Sequence, residues 1–422
     1  MKTKTLLMKT KTLLMSRAAA LAPFMKTKTL LISAAALALL ISVAAFLSFA
    51  GDSELCTSEF AQGAYESAFP YCEKACSKDD GGGCARLGKI YRDGLGVKPD
   101  FKQTKTYLEK ACSLNDVEGC SWLGELYERH RDLQQAITYY EKACSLNDGP
   151  GCVRLGIIYN ENAVRWGGYD GVGIYTEKAK TSYEKACLDL NYGEGCSWLG
   201  KTYENSDIQQ AITYYEKACF DLNYGGGCNW LGNIYKFGET SVAKDIQQAK
   251  NYYEKACSLN YFSGCYNLGM LYAEERDYQQ AKIYHDKACF DLNDGPGCTR
   301  LGGLYIYGTG GRDDVRTDIR QAITYFEKGC SLNDAKSCNI LGSIYIKGYS
   351  GARPDYKRAI PYFEKACNLN YVDSCLKLGE MYIKGVSVSR NNEVAKEYFG
   401  KACDINNGVG CTKYRELIEQ GY

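Results

Sequence analysis

The sequence predicts an all-α protein built as a solenoid of repeated helix pairs. Cysteines recur in pairs along most of the 422-residue chain, and each pair flanks a short turn rich in Asn, Asp and Gly, such as 145–151. On both sides of these turns, apolar residues recur at helical spacing. Repetition of one short unit explains cysteine in every segment better than a single large core does.

The first 50 residues lie outside this pattern. The stretch MKTKTLL occurs three times, and the last copy, at Met25, leads into an apolar run over 30–49. A basic segment, an apolar segment and small residues near Ala50 predict a secretory signal peptide over 1–50, with a duplicated start and cleavage near Ala50. A membrane anchor is the alternative, because the apolar run approaches spanning length. The downstream cysteines favour the signal peptide, since they require an oxidising destination.

The remaining chain, 51–422, is expected to be mildly acidic. The leader contains seven of the 51 Lys and Arg residues and none of the 50 acidic residues, which leaves 44 basic residues against 50 acidic ones. A chain of this charge without a basic stripe is not expected to bind nucleic acid. No later run is apolar enough to span a bilayer, so we expect no stable membrane insertion after cleavage.

Ten cysteine pairs define the repeat. The two cysteines of a pair are eight residues apart, or nine after Cys187, Cys219 and Cys289, where the turn contains an extra residue. After the second cysteine most repeats read x-x-Leu-Gly-x-x-Tyr, which we name helix A. The run Ala-x-x-x-aromatic-x-x-Ala-Cys that follows is helix B, whose small and aromatic residues predict one packing face. Glycine inside a helix costs about 1 kcal/mol relative to alanine, so we expect it to allow close approach of a neighbouring helix.

These motifs carry a resemblance. The spacing of Leu-Gly-x-x-Tyr and Ala-x-x-x-aromatic-x-x-Ala resembles a tetratricopeptide repeat. The variable A-to-B connection and the paired KAC and GC motifs resemble the SEL-like branch of that superfamily, in particular the Helicobacter cysteine-rich protein family. The resemblance covers nearly all of 76–411. It implies a single α/α superhelical solenoid over 51–422, with one disulfide per repeat, an irregular first repeat and a closing C-terminal helix.

The resemblance also implies how the cysteines pair. Each cysteine ending a helix B is expected to bond the one that opens the next helix A. Cys56 and Cys72 are then left to pair with each other. The nine-residue spacings, and Cys72 in the aromatic position of helix B, depart from the family pattern and are expected to be tolerated. The other expected pairs are Cys76–Cys84, Cys112–Cys120, Cys144–Cys152, Cys187–Cys196, Cys219–Cys228, Cys257–Cys265, Cys289–Cys298, Cys330–Cys338, Cys367–Cys375 and Cys403–Cys411.

Metal and redox chemistry are not expected at these cysteines. Zinc sites prefer two to four residues between ligands and often recruit His, whereas here seven or eight residues intervene and the chain has two histidines. His285 takes the helix-B aromatic position and is expected in the core. His130 lies in a connection and is expected at the surface. The chain lacks a C-x-x-C redox motif, and we expect no cofactor.

Hydrolysis is the alternative function that the family resemblance implies. Members of that family carry a β-lactamase or penicillin-binding label, which would make β-lactams or cell-wall compounds the ligands. The S-x-x-K motif occurs at Ser182, Ser241 and Ser374. Companion motifs resembling S-D-N and K-T-G are absent from the sequence, and two histidines cannot supply a zinc hydrolase site. A weak β-lactamase therefore rests on resemblance alone, and we expect no catalytic residues.

Binding of a protein or peptide is the function that the sequence favours. By resemblance to tetratricopeptide repeats, the concave face takes the residues one and five positions after the helix-A cysteine. These vary in type while Leu, Gly and Tyr recur, and variable residues on a repeated scaffold suit protein or peptide capture. We therefore predict a secreted or periplasmic scaffold with a binding groove. In its middle repeats the predicted binding residues are Ser197, Lys201, Asn229, Asn233, Tyr266 and Met270.

Two further expectations concern the variable parts of the repeat. The residue two positions after the helix-A cysteine is Trp122, Trp198 or Trp230 in three repeats, and we expect these rings to pack between repeats. The longest A-to-B connection, 160–174, shows no helical period. We expect it to project as a loop that adds partner contacts, with an inert insertion as the alternative.

Overall fold

The computed structural model describes residues 51–239, 241–308, 317–348 and 353–422, without the side chains of 164–172. The predicted signal peptide, 1–50, lies outside the described residues. The regular secondary structure of the described part is helical, apart from an isolated antiparallel bridge between Glu239 and Val242. This confirms the predicted all-α class with its repeated helix pairs. The chain forms two compact units, one ending at Gly151 and one beginning at Cys152.

The first unit contains three helix pairs, in which each helix packs on the next one along the chain. In this unit the odd-numbered helices are A helices and the even-numbered helices are B helices. In chain order they are α1 Asp52–Ala61, α2 Tyr65–Ser77, α3 Gly81–Asp93, α4 Phe101–Ser113, α5 Val117–Arg129 and α6 Leu133–Ser145.

The second unit continues the alternation of A and B helices. Because α7 supplies both members of one pair, from α8 onwards the even-numbered helices are A helices and the odd-numbered helices are B helices. The second unit begins within the long helix α7 and ends with the closing helix α20. No helix in the described part of the chain is both long enough and apolar enough to cross a membrane. The bounds are α7 Gly149–Glu184, α8 Gly193–Tyr203, α9 Ile208–Glu216, α10 Gly225–Phe237, α11 Ile246–Ser258, α12 Phe262–Glu274, α13 Tyr278–Asp286, α14 Gly295–Tyr307, α15 Ile319–Ser331, α16 Ala335–Lys347, α17 Tyr356–Asn368, α18 Val372–Lys384, α19 Asn392–Asp404 and α20 Gly408–Glu419.

The prediction of a loop over 160–174 is wrong, because these residues are helical and belong to α7. The sequence of this segment lacks an apolar stripe, which indicates only that it does not bury one helical face against the core. A backbone without such a stripe can still be helical. The run is not one straight rod. Tyr159 and Tyr175 would be about 24 Å apart along a straight helix, yet their ring centroids are 6.0 Å apart. The chain therefore doubles back between them, and the two ends of α7 pair as A and B helices do elsewhere.

The turns from helix B to the next helix A share a left-handed Asn or Asp, and the turn after α4 shows its role. After α4, Asn115 adopts the left-handed conformation, with φ of 59°. Its amide donates to the Cys112 carbonyl, and the Asp116 amide donates to the Ala111 carbonyl, both at 3.0 Å, which closes α4 as a Schellman motif. The Asp116 carboxylate then caps α5 by accepting from the Gly119 amide at 2.7 Å. Left-handed Asn or Asp recurs at Asp79, Asn147, Asn191, Asn223, Asn260, Asn293, Asn333, Asn370 and Asn406.

Disulfides close these turns, one per repeat. All 22 cysteines are disulfide-bonded, Cys144 and Cys152 among them. Eight- and nine-residue spacings give the same geometry, with Cα atoms 4.4 to 4.8 Å apart. The bonds described individually are Cys56–Cys72, Cys76–Cys84, Cys112–Cys120, Cys187–Cys196, Cys219–Cys228, Cys257–Cys265, Cys289–Cys298, Cys330–Cys338, Cys367–Cys375 and Cys403–Cys411. These are the pairs that the family resemblance implied.

The extra residue of the nine-residue spacings lies in a π-helical turn at the end of helix B. Such turns occupy 185–189, 217–221 and 287–291. A π turn accommodates one more residue than an α turn, so both cysteines keep their places. The residue that follows the first cysteine in these turns, Leu188, Phe220 or Phe290, is exposed.

The core of most repeats is a contact between the helix-A glycine and the helix-B ring, whereas Gly88 in α3 contacts Leu108 instead. An added Cβ at Gly232 in α10 would lie 2.4 Å from Cε1 of the fully buried Tyr253 in α11. The expected close approach is therefore confirmed. In the first repeat, the Cys56–Cys72 disulfide takes the place of this contact. Equivalent contacts join Gly124 to Tyr140, Gly156 to Tyr183, Gly200 to Tyr215, Gly302 to Phe326, Gly342 to Phe363 and Gly379 to Phe399.

His285 in α13 takes the position of this ring, as the sequence predicts, and is 1% exposed. Burial, and to a lesser extent the charge of Arg300, lowers its pKa to about 4. Its Nδ1 has no hydrogen-bond partner among the described residues. His285 is therefore a neutral core residue, whereas His130 is exposed, as expected, and lies against the ring of Phe101.

We expect Gly232→Ala to lower the free energy of unfolding by about 1–3 kcal/mol, because the new methyl group overpacks against the Tyr253 ring. Gly303→Ala is the matched control. Gly303 is also in a helix interior, but an added Cβ there meets nothing within 4 Å. This control should be neutral or stabilising, since alanine has the better helix propensity. Urea unfolding followed by circular dichroism would contradict the packing argument if both variants lost the same stability.

We expect His285 to make the protein less stable in acid. The unfolded side chain takes up a proton near its ordinary pKa of 6.5, and the folded one only near 4. Stability from this residue is therefore present above pH 6.5 and is lost as the pH falls towards 4. At pH 5 the loss should be about 2 kcal/mol.

His285→Phe should remove this component, because phenylalanine fills the same position in other repeats and cannot be protonated. The measurement is urea unfolding of wild type and variant at neutral and acidic pH. His130→Gln is the matched control and should retain the wild-type dependence. An unchanged pH dependence in His285→Phe would show that other groups cause the acid sensitivity.

Candidate functional site

The predicted binding residues lie on three successive A helices of the second unit. Helix α8 packs on α10, and α10 packs on α12, so the structure brings these positions onto adjoining helices. We name this surface the A face. It consists of Ser197 and Lys201 on α8, Asn229 and Asn233 on α10, Tyr266 and Met270 on α12, and the residues that these contact.

Two of the six predicted residues are buried. Ser197 is 4% exposed and Asn229 is 7% exposed. The Asn229 Oδ1 accepts a hydrogen bond from Nδ2 of Asn267 at 2.9 Å, which links α10 to α12. The Ser197 hydroxyl has no hydrogen-bond partner among the described residues. On both α8 and α10, the residue directly after the helix-A cysteine is therefore buried between neighbouring A helices.

Asn233 is half-buried and held by one hydrogen bond. Its Oδ1 accepts from the hydroxyl of Tyr253 at 2.7 Å. Burial raises the pKa of Tyr253 above its ordinary value, so the hydroxyl stays protonated and remains a donor. This bond connects the A face to the ring that contacts Gly232. Asn233 is thus fixed by the same residue that sets the distance between the two helices.

Two cations of the A face lie against aromatic rings. Lys201 pairs with Glu204, and its ammonium lies 4.3 Å from the centre of the Trp230 ring. The Nε of Arg300 in α14 donates to the Tyr266 hydroxyl at 3.0 Å. Contact with a ring face stabilises a cation that is partly removed from water. Positive charge is therefore held in fixed positions on this surface.

The predicted packing of the Trp rings is confirmed. Trp198 stacks on Tyr183 and Trp230 stacks on Tyr215, with ring centroids 5.9 and 6.1 Å apart. In the first unit, the Trp122 ring lies 4.8 Å from the ammonium of Lys89.

Sequence reasoning missed the roles of Asn267 and Arg300, which take the same position as these Trp residues but make polar bonds instead. The signal available in the sequence was only the variation in residue type at that position.

The S-x-x-K motifs show no serine–lysine pair in the geometry described. Ser374 is completely buried and donates to Asn339 Oδ1 at 3.0 Å. Burial lowers the pKa of Lys377, whose ammonium donates to Ser343 of the neighbouring repeat at 2.9 Å. Ser182 donates to a carbonyl of its own helix at 2.8 Å. Ser374 and Ser182 are therefore engaged with groups other than their motif lysines. The described residues contain no group of three or more His, Cys, Asp or Glu side chains placed to hold a metal ion.

Comparison with solved structures finds repeat proteins from several bacteria. Helicobacter pylori cysteine rich protein B is 39% identical over 33% of this chain and 96% of its own, with a TM-score of 0.26. A Sel1 repeat protein from Oxalobacter formigenes is 18% identical over 74% and 90%, with a TM-score of 0.49. A protective antigen of uropathogenic Escherichia coli with an SLR fold is 21% identical over 86% and 80%, with a TM-score of 0.43. Among curated proteins, no sequence matches the chain.

Family models identify the repeats directly. Tetratricopeptide repeat models match 117–150 and 262–289. The Sel1 repeat model matches 82–116, 190–219, 226–261, 295–334, 335–371 and 372–407. The six predicted binding residues thus lie in two Sel1 repeats and a tetratricopeptide repeat. Because the Sel1 segments alone make up slightly more than half of the sequence, the chain belongs to the Sel1 repeat family.

Proposed function

We propose that the protein is a secreted or periplasmic scaffold that binds a protein or an extended peptide through the A face. Sel1 and tetratricopeptide repeats generally mediate protein interactions, which supports the class of function. The disulfides support the compartment. All 22 cysteines are oxidised, and structural disulfides persist in oxidising compartments such as the periplasm and the cell exterior.

The observation that carries the proposal is the fixed position of two half-exposed amides. Asn233 uses its oxygen to accept from Tyr253, and Asn267 uses its nitrogen to donate to Asn229. A donor on α10 and an acceptor on α12 are left without a partner among the described residues. A peptide backbone offers both groups, and partners that are already fixed lose little conformational entropy when they bind it.

The charges of the A face indicate which peptides should bind. Arg300 places positive charge beside the two amides, held against the Tyr266 ring, whereas the charge of Lys201 on the other side is paired with Glu204. Charge complementarity then favours partner segments with acidic side chains. Met270, which is half-buried, adds an adaptable apolar contact on α12.

Asn233→Asp tests the proposal with little disturbance of the fold. The new carboxylate can still accept from the Tyr253 hydroxyl, but the Nδ2 donor is lost. Peptides selected from a displayed dodecapeptide library on the immobilised wild-type protein should bind this variant at least tenfold more weakly. A hydrogen bond contributes about 0.5–1.5 kcal/mol net, and the added negative charge repels carbonyl oxygens and acidic side chains. Calorimetry gives the affinities, and the melting temperature should change little.

Asn251→Asp on α11 is the matched control, since it makes the same chemical change at an exposed site on a B helix. It should leave the peptide affinities unchanged. If Asn251→Asp weakens binding as much as Asn233→Asp does, the effect is one of net charge. If only changes at Gln209 and Gln210 on α9 reduce affinity, the peptides bind a B helix and the A-face proposal is wrong.

A further inference from the structure

A cleft of about 460 Å³ opens between α12, α14 and α16. Its size falls within the range of small-molecule sites in proteins. Much of its wall is apolar, with Met270, Leu304, Ile306, Phe326 and Ile340 among the lining residues. It is a recess in the second unit, more confined than the surface that an extended peptide would need.

Three departures from the repeat pattern occur around this cleft. At the position where Trp198 and Trp230 fill the space between repeats, α14 has Arg300. Three positions further along the sequence, where α10 has Asn233, α14 has Gly303, and an added Cβ there meets nothing within 4 Å. The ring position of the preceding helix B is His285. Together these residues leave open a volume that larger side chains fill elsewhere.

The cleft wall contains basic side chains and an imidazole nitrogen without a partner, beside the hydroxyl-bearing Thr299, Tyr278 and Tyr307. His285 lines it, and the imidazole Nδ1 has no hydrogen-bond partner among the described residues. Arg300 and Lys336 also line it, and neither forms an ion pair with a described residue. No described Asp or Glu contributes to the wall. The Nε of Arg300 donates to Tyr266, but the guanidinium has no ion-pair partner among the described residues, and its remaining N–H groups can bind a planar carboxylate through two parallel hydrogen bonds.

We propose that this cleft binds a small organic acid with an apolar body and a single carboxylate, such as an aromatic or medium-chain aliphatic acid. The carboxylate pairs with Arg300 and Lys336 at the cleft wall. The apolar body packs against Leu304, Ile306 and Phe326, and its burial provides most of the remaining affinity. This site does not depend on peptide binding at the A face, although the two share Met270 and Arg300.

Titration calorimetry of the full chain with 4-phenylbutyrate, decanoate and 4-phenylbutyramide tests the proposal. We expect one acid molecule bound per chain, and at least tenfold weaker binding of the neutral amide. Arg300→Gln should weaken binding of the acids at least tenfold and leave binding of the amide unchanged. Gly303→Leu should abolish binding, because the new side chain fills the cleft, whereas Gly303→Ala should retain it.

Three results would overturn the proposal. They are equal affinities for acid and amide, unchanged binding by Gly303→Leu, and no binding of either acid to the wild-type protein. Lys357→Gln serves as a control for charge, because Lys357 is exposed on α17 and lies outside the cleft. If Lys357→Gln weakened acid binding as much as Arg300→Gln, the acids would be responding to the net charge of the protein and the assignment of the cleft would be wrong.

Discussion

The close approach of a glycine backbone to a buried ring fixes the distance between the two helices in most repeats. At Gly232 the space for a side chain is already occupied by Tyr253. The next step along the chain, from helix B to the following helix A, is fixed by a disulfide with Cα atoms 4.4 to 4.8 Å apart. Along the chain, a glycine–ring contact within a repeat therefore alternates with a disulfide between one repeat and the next. Because neither involves the A-to-B connection, that connection can vary in length while the repeat keeps its geometry.

The motif Glu-Lys-Ala-Cys adds polar bonds in both directions along the stack. The Lys110 ammonium donates to the Cys76 carbonyl of the preceding helix B at 2.8 Å, at the helix end where the dipole is negative. In the second unit, Glu364 accepts from the Tyr398 hydroxyl of the following repeat at 3.2 Å. Such half-exposed bonds each contribute little. Because solenoid stability is close to a sum over neighbouring repeats, their recurrence gives them weight.

Most of the scaffold could be predicted because each repeat solves the same packing problem with the same residue types. Aligning the repeats was enough to put Gly232 in a close contact and His285 in the core. The π turns and the doubling back of α7 could not be predicted in this way, since they change backbone geometry without changing the residue pattern.

The A face was the harder part. Asn229 and Asn233 are the same residue type one helical turn apart, yet one is buried between A helices and the other is half-buried. The sequence alone does not distinguish them, because their burial depends on Asn267 and Tyr253 in neighbouring helices.

A scaffold fixed in this way can change its surface locally at little cost to the rest. The residue two positions after the cysteine shows how. In one repeat this residue is Trp230, which stacks on Tyr215 and closes the space between repeats. In another it is Arg300, which donates a hydrogen bond to Tyr266 and leaves a cleft beside His285. The glycine contact and the disulfide are present in both cases. Residues that hold the helices together are thus separate from residues that shape the surface, and this separation allows one repeated fold to present different binding sites along its length.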